Sequence, residues 1–70
     1  MIIDPHYPHI VLAFSYRETT IAIEQAAIND LTIYTAWVDY ATGSAVAVPK
    51  AWTRADAMQR AKRWVDRKLY

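Results

Sequence analysis

The side chains that could bind a metal ion lie together near the amino terminus. His6 and His9 follow Asp4 in the sequence, and imidazole and carboxylate groups are common metal ligands. Two prolines in the same stretch predict an irregular lead-in over residues 1–8. Because a metal site needs further ligands held by a rigid scaffold, we predict a solvated loop here, with no metal and no cofactor.

Nucleophilic catalysis would require Ser15 or Ser44 beside a histidine and an orienting acid. Nothing in the spacing brings either serine to a histidine. The single glycine leaves no glycine-rich loop to hold a phosphate, and so small a domain has little room for a pocket of roughly 300 Å³. We therefore predict no catalytic residue and no enzymatic activity.

The cationic side chains are concentrated at the carboxyl end. Residues 1–49 carry one base and five acids, a net charge of −4, whereas residues 50–70 carry seven bases and two acids, a net charge of +5. Such a cluster could neutralise phosphates. However, the whole chain carries only +1, and bases are usual on the solvated face of a helix. Asp56 and Asp66 also interrupt the bases, so we do not expect one tight cationic stripe.

The size and composition indicate one small domain, residues 1–70, with surplus apolar material. The 70 residues are 54% apolar and include three Trp and five Tyr but no cysteine. A domain of this size has a thin core, so exposed apolar side chains are expected at an interface, and homodimerisation is a common remedy. No apolar run reaches the roughly 20 residues that span a bilayer. Without cysteine or the pattern of a signal peptide, we expect a cytoplasmic protein with no membrane contact.

Alternating apolar residues and turn signals predict an antiparallel sheet over residues 9–49. The second segment also has helical propensity, so a helix over 20–28 stays an alternative and the sheet has three or four strands. Pro49 cannot donate to a strand ladder and is expected to end the last strand. The predicted strands span residues 10–16, 19–25, 31–40 and 45–48.

An amphipathic helix is predicted over residues 53–69. Thr53 is a suitable N-cap, and Asp56 three residues later resembles a capping box. The helix face centred on Ala61 is apolar and includes Trp64. The predicted fold is therefore α+β: a three- or four-stranded antiparallel meander covered on one face by a C-terminal amphipathic helix.

The strand over 31–40 is apolar on both faces, whereas a single helix covers only one. We expect the face with Trp37 to be covered and the face with Tyr34, Val38 and Tyr40 to be open. The open face would then serve as a dimer interface, as a site for another protein, or as a platform on which nucleic-acid bases stack. In the fourth interpretation, the open face carries apolar residues that the small core cannot accommodate, and it has no partner.

The sequence from Trp37 to Ser44, with the later Thr53 to Ala57 and Trp64, resembles the strand–turn–strand–helix ending of many small phage and mobile-element proteins. That group includes arm-type DNA-binding domains of phage integrases and small anti-CRISPR inhibitors. The resemblance covers about half of the chain and implies two kinds of partner, a host protein complex or DNA. Its features are generic, and no functional residue is transferred from it.

These observations favour a non-enzymatic protein-binding module, homodimeric, that inhibits or regulates a bacterial host complex by contacting an acidic protein surface. The alternative is a small DNA- or RNA-binding regulator that uses the basic C-terminal helix. The predicted partner-binding residues are Tyr34, Val38, Tyr40, Arg60, Arg63 and Arg67.

Overall fold

A computed structural model describes the backbone of residues 9–70 and the side chains from Ile10 onward. The predicted lead-in over 1–8 and the side chain of His9 lie outside the described residues. The five elements follow one another along the chain with short connections. They are β1 (His9–Tyr16), β2 (Thr19–Ile28), β3 (Leu31–Tyr40), β4 (Gly43–Ala51) and α1 (Arg54–Lys68).

The strands form one antiparallel sheet in the order β1-β2-β3-β4, so each strand pairs with its neighbour in sequence. Residues 20–28 belong to strand β2, which excludes the helical alternative. α1 packs against β2, β3 and β4 on one side of the sheet. The predicted α+β meander with one C-terminal helix is therefore confirmed, with four strands.

β4 continues through Pro49 to Ala51, so the prediction that Pro49 ends the strand is wrong. β4 lies at the edge of the sheet, where proline is tolerated because its missing N–H has no partner to lose. The register also shifts along β4. Val46 pairs with Trp37 and Val48 with Ala36, which leaves Ala47 as an extra residue in a bulge.

The first two hairpins have two-residue turns in the left-handed conformation. The φ angles are 49° and 65° at Arg17 and Glu18, and 51° and 65° at Asn29 and Asp30. Positive φ at both central residues is the type I′ geometry, which matches the twist of the strands. Both turns lie in the gaps between the predicted strands.

The core forms between the sheet and the helix. Ala57, Ala61 and Val65 are the buried residues of α1. Small alanine side chains allow the helix backbone to approach the sheet closely. The Thr53 hydroxyl accepts a hydrogen bond from the Asp56 amide at 3.0 Å, which confirms the predicted N-cap. The sheet contributes the remaining buried apolar residues, namely Ile21, Ile23, Ala36, Val38, Val48 and Ala51.

The end of α1 is attached to the first hairpin by a polar cluster. The Asp66 carboxylate accepts hydrogen bonds from the Tyr16 hydroxyl at 3.0 Å and from Arg17 Nη1 at 2.8 Å. The Arg17 guanidinium also lies 4.2 Å from the centre of the Tyr70 ring. The hydrogen bond from Arg17 holds the pKa of Asp66 below its ordinary value of 3.8. The Tyr16 hydroxyl donates a hydrogen bond to Asp66, and this raises the pKa of Tyr16 above 10.0.

Candidate protein-interaction surfaces

The predicted open face of β3 lies under the helix. Val38 is fully buried, and Tyr34 and Tyr40 are half-buried against the core. The assignment of these three residues to an exposed face is therefore wrong. The reason is steric, because the alanine-lined helix approaches the face that carries Ala36 and Val38, and the large Trp37 indole lies on the other side. The tyrosines are consequently not placed as an open stacking platform for bases.

The other side of the sheet, which we call the open face, is crossed by one row of apolar residues. Ala13 pairs with Ala22, Ala22 with Trp37, and Trp37 with Val46, so the row crosses all four strands. Because paired residues on neighbouring strands project from the same face, these side chains form a continuous strip. Val46 keeps 40% of its surface exposed.

The open face carries further apolar residues near the β2–β3 turn. Ala26 pairs with Ile33 and Ile28 pairs with Leu31, and these pairs project from the same face as Trp37. Ile28 and Leu31 are 54% and 55% exposed, although both are large aliphatic residues. Ile10 on β1, 46% exposed, lies on the same side because it pairs with Glu24. The polar pair Glu24 and Thr35 lies on the same face between the Trp37 row and the Ile33 row, so the open face carries two apolar areas. Exposed apolar areas on a small protein are candidates for an interaction site.

The charged residues that β1, β2 and β3 contribute to the open face are acidic. β1, β2 and β3 contain no lysine or arginine, whereas Glu24 and Asp39 project from this face. Trp37 Nε1 donates a hydrogen bond to Glu24 Oε1 at 3.2 Å, which fixes the indole across the sheet. A phosphate backbone would be repelled by these carboxylates. The open face is therefore suited to contact with protein.

Three arginines and one tryptophan line a groove between α1 and β4, which we call the arginine groove. Arg60, Arg63 and Arg67 recur at helical steps of three and four residues, so they share one side of α1. Trp64, which is half-buried, lies on the same side. The groove has a volume of about 190 Å³. Its lining consists of Ala47, Val48, Arg60, Arg63, Trp64 and Arg67.

The bases of α1 do not form one stripe, as expected, because Lys62 lies over Phe14 and Tyr16. Arg60, Arg63 and Arg67 nevertheless form a shorter stripe of their own. Asp66 lies on the side of the helix that faces β1, where it pairs with Arg17. Asp56 forms an ion pair with Arg60 at 3.2 Å at one end of the groove. The three arginines and Asp56 leave a net charge of +2 there. Helical spacing could have revealed this stripe, because Arg60, Arg63 and Arg67 repeat at i, i+3 and i+7.

Two other bases of the helix, Lys62 and Arg54, lie near aromatic rings of the sheet. Lys62 Nζ lies 5.6 Å from the centre of the Phe14 ring and 5.7 Å from that of Tyr16. The Arg54 guanidinium lies 6.0 Å from the Tyr34 ring. The aliphatic stems of Lys62 and Arg54 therefore cover the margins of the sheet, and their charged groups lie near its aromatic rings. Their position separates them from the arginine groove.

No family model, curated protein or solved structure matches this chain. Among the residues described, no group of three His, Cys, Asp or Glu side chains is close enough to hold a metal ion. The helix in this part of the chain is too short and too polar to cross a bilayer. The open face and the arginine groove are the two candidate interaction surfaces of the described residues.

Proposed function

We propose that this chain is a non-enzymatic protein-binding module that pairs with a second copy of itself through the open face. The observation that carries the proposal is the apolar row from Ala13 to Val46, which crosses the whole sheet with Trp37 in its middle. Pairing would form four layers in the order helix, sheet, sheet, helix. Both arginine grooves would then lie on the outside, free for a further protein partner.

The dimensions of the molecule support a second copy as the occupant. The molecule measures 36 × 29 × 15 Å, so its broad side covers at most about 1,000 Å². A standard protein interface buries roughly 800 Å² on each partner. The open face is thus large enough for a stable dimer but leaves little spare area. Face-to-face packing of two sheets, about 10 Å apart, is a common arrangement.

The chemistry of the face also suits a symmetric contact. A two-fold interface brings the same patch together from both copies, and an apolar centre is complementary to itself. Glu24 already accepts a hydrogen bond from Trp37, and Asp39 lies near the β3–β4 turn, toward the margin. In the dimer the Glu24 carboxylate would keep this hydrogen bond, whereas Asp39 would stay in contact with solvent at the margin. A cytoplasmic location, favoured by the lack of cysteine, belongs to the same proposal.

Replacement of Val46 by lysine tests the interface. In a single copy the Val46 side chain is 40% exposed, so Val46→Lys is compatible with folding. In the dimer the long side chain would hold the partner sheet away and its ammonium group would lose water, a cost that Asp39 and Glu24 on this face offset only in part. We expect the wild type to sediment at twice the 8.1 kDa chain mass and Val46→Lys at the chain mass.

Ala55→Lys is the matched control, because Ala55 is exposed on the outer side of α1 and the change adds the same charge. This variant should remain dimeric in sedimentation equilibrium, with a circular dichroism spectrum like that of the wild type. A wild-type chain that is monomeric over a wide range of concentration contradicts the proposal. A dimer that Val46→Lys leaves intact contradicts the choice of the open face.

A further inference from the structure

We infer that the arginine groove binds an acidic peptide segment, in which carboxylates flank an apolar side chain. This inference names the partner class of the proposed protein-binding module and rests on that function, but it does not require the dimer. The groove combines cationic walls from Arg60, Arg63 and Arg67 with an apolar floor from Ala47 and Val48. A ligand that fills it must therefore satisfy both kinds of surface.

Arg60 is held in position before any ligand binds. Its Nη1 donates hydrogen bonds to the Lys50 carbonyl at 3.0 Å and to Asp56 Oδ2 at 3.2 Å. These contacts restrict the side chain while other N–H groups of the planar guanidinium remain to donate. A restricted side chain loses less entropy on binding. Arg60 thus provides an anchored donor at the end of the groove nearer the start of α1.

Arg63 and Arg67 supply the charge that is not neutralised. Neither forms an ion pair with any of residues 10–70, and both are exposed. They lie four residues apart, a rise of about 6 Å along the helix. Guanidinium groups bind carboxylates through two parallel hydrogen bonds. Two acidic side chains of one peptide could therefore be bound along this side of the helix.

The floor of the groove favours a peptide over a nucleic acid. Ala47 and the half-buried Trp64 ring present apolar surface between the arginines, above the buried Val48. A volume of about 190 Å³ accommodates one large aliphatic or aromatic side chain. The arginine stripe from residue 60 to residue 67 is only about 10 Å long. A duplex that spreads its phosphates over a longer path would contact few of these bases and would leave the apolar floor empty.

Recognition is expected to come from side chains, because β4 is poorly suited to pair with a peptide strand. Ala47 forms a bulge, and Pro49 lacks a backbone N–H. Bulges, proline and lysine on an edge strand are features that prevent edge pairing. The ligand would therefore lie in the groove beside β4 without adding a fifth strand to the sheet.

Binding of a fluorescent peptide of alternating glutamate and leucine tests the inference by anisotropy at low salt. Arg63→Gln combined with Arg67→Gln removes two charges from the groove, and we expect the affinity to fall at least ~10-fold. Arg54→Gln combined with Lys68→Gln is the matched control. It removes the same charge from the same helix outside the groove, and the affinity should change less than ~3-fold. The same peptide with glutamine in place of glutamate should bind at least ~10-fold more weakly to the wild type.

Duplex DNA of mixed sequence is measured in parallel. We expect it to bind more weakly than the acidic peptide and to lose equal affinity in both double variants, since only net charge then matters. The inference is overturned if the acidic peptide does not bind, if both variants weaken it equally, or if DNA binds more tightly. Sedimentation of the same samples tests the dimer separately, so a failure of the groove and a failure of the open face are distinguishable.

Discussion

At the scale of single residues, Asp66 connects the helix to the first hairpin. Its carboxylate accepts hydrogen bonds from Tyr16 and Arg17, which are fifty and forty-nine positions away in the sequence. Because the hydrogen bond from Arg17 lowers the pKa of Asp66 below 3.8, the folded state favours the ionised carboxylate. The stability that this provides is present above the ordinary pKa and is lost as the pH falls through the folded pKa.

Asp66→Asn should therefore lower the free energy of unfolding at pH 7, and the difference from wild type should shrink as the pH falls below 3.8. Urea denaturation at neutral and acidic pH measures both differences. Asp39→Asn serves as the control, because Asp39 is exposed and forms no ion pair with residues 10–70. If Asp66→Asn lowers the free energy of unfolding by the same amount at both pH values, the role given to this carboxylate is contradicted.

Trp37 and Val38 show that residue patterns do not decide which face of β3 the helix covers. Alternation in β3 correctly indicates two apolar faces, but it assigns the same hydrophobic character to both. The covered face is the one whose side chains fit against Ala57 and Ala61 at short range, which is a property of the packed helix and sheet. The sequence therefore predicts that one apolar face of β3 is open, but it does not predict which one. Tyr34, Val38 and Tyr40 lie on the covered face and not on the open face.

At the scale of elements, the β1–β2 turn carries backbone strain that glycine would relieve. Glu18 adopts a φ of 65°, and the left-handed conformation costs a residue with a Cβ about 1–2 kcal/mol. Arg17, the other turn residue, is tied to Asp66 and Tyr70 through its side chain. The contacts of Arg17 explain why this turn forms without glycine or asparagine.

Glu18→Gly should stabilise the protein by about 0.5–1 kcal/mol, because the relief of strain exceeds the added entropy of the unfolded chain. Thr42→Gly in the β3–β4 turn is the control. Thr42 has no positive φ, so this change should destabilise by about 0.5–1 kcal/mol. The midpoints of urea denaturation measure both effects. Destabilisation by Glu18→Gly would show that the turn is not strained.

Element types were more predictable than element ends. The alternation of apolar residues predicts β1 and β3, and the N-cap at Thr53 predicts the start of α1. The end of β4 was missed because the effect of Pro49 depends on whether its strand lies at the edge of the sheet, and strand order is a tertiary property. The arginine groove was missed for a similar reason, since it requires the helix to lie beside β4 with Arg60, Arg63 and Arg67 on that side.

At the scale of the whole molecule, the protein has a basic side and an acidic, apolar side. The 15 Å dimension corresponds to one sheet and one helix, so a single copy has only two layers. A second copy on the open face would bury Trp37 and Val46 and leave both arginine grooves exposed. A dimer with two such grooves would bind a partner with repeated acidic segments more tightly than one groove alone, because the second contact becomes intramolecular.

The separation of the two helices in the assembled protein tests this arrangement most directly. The chain has no cysteine, so Ala55→Cys places a single spin label on the outer side of each α1. Two sheets about 10 Å apart, each with a helix about 10 Å beyond it, separate the helix axes by about 30 Å. Pulsed dipolar spectroscopy should therefore give a label separation of about 30 Å or more. A separation below about 20 Å, as in direct helix–helix packing, or the absence of dipolar coupling would contradict assembly through the open face.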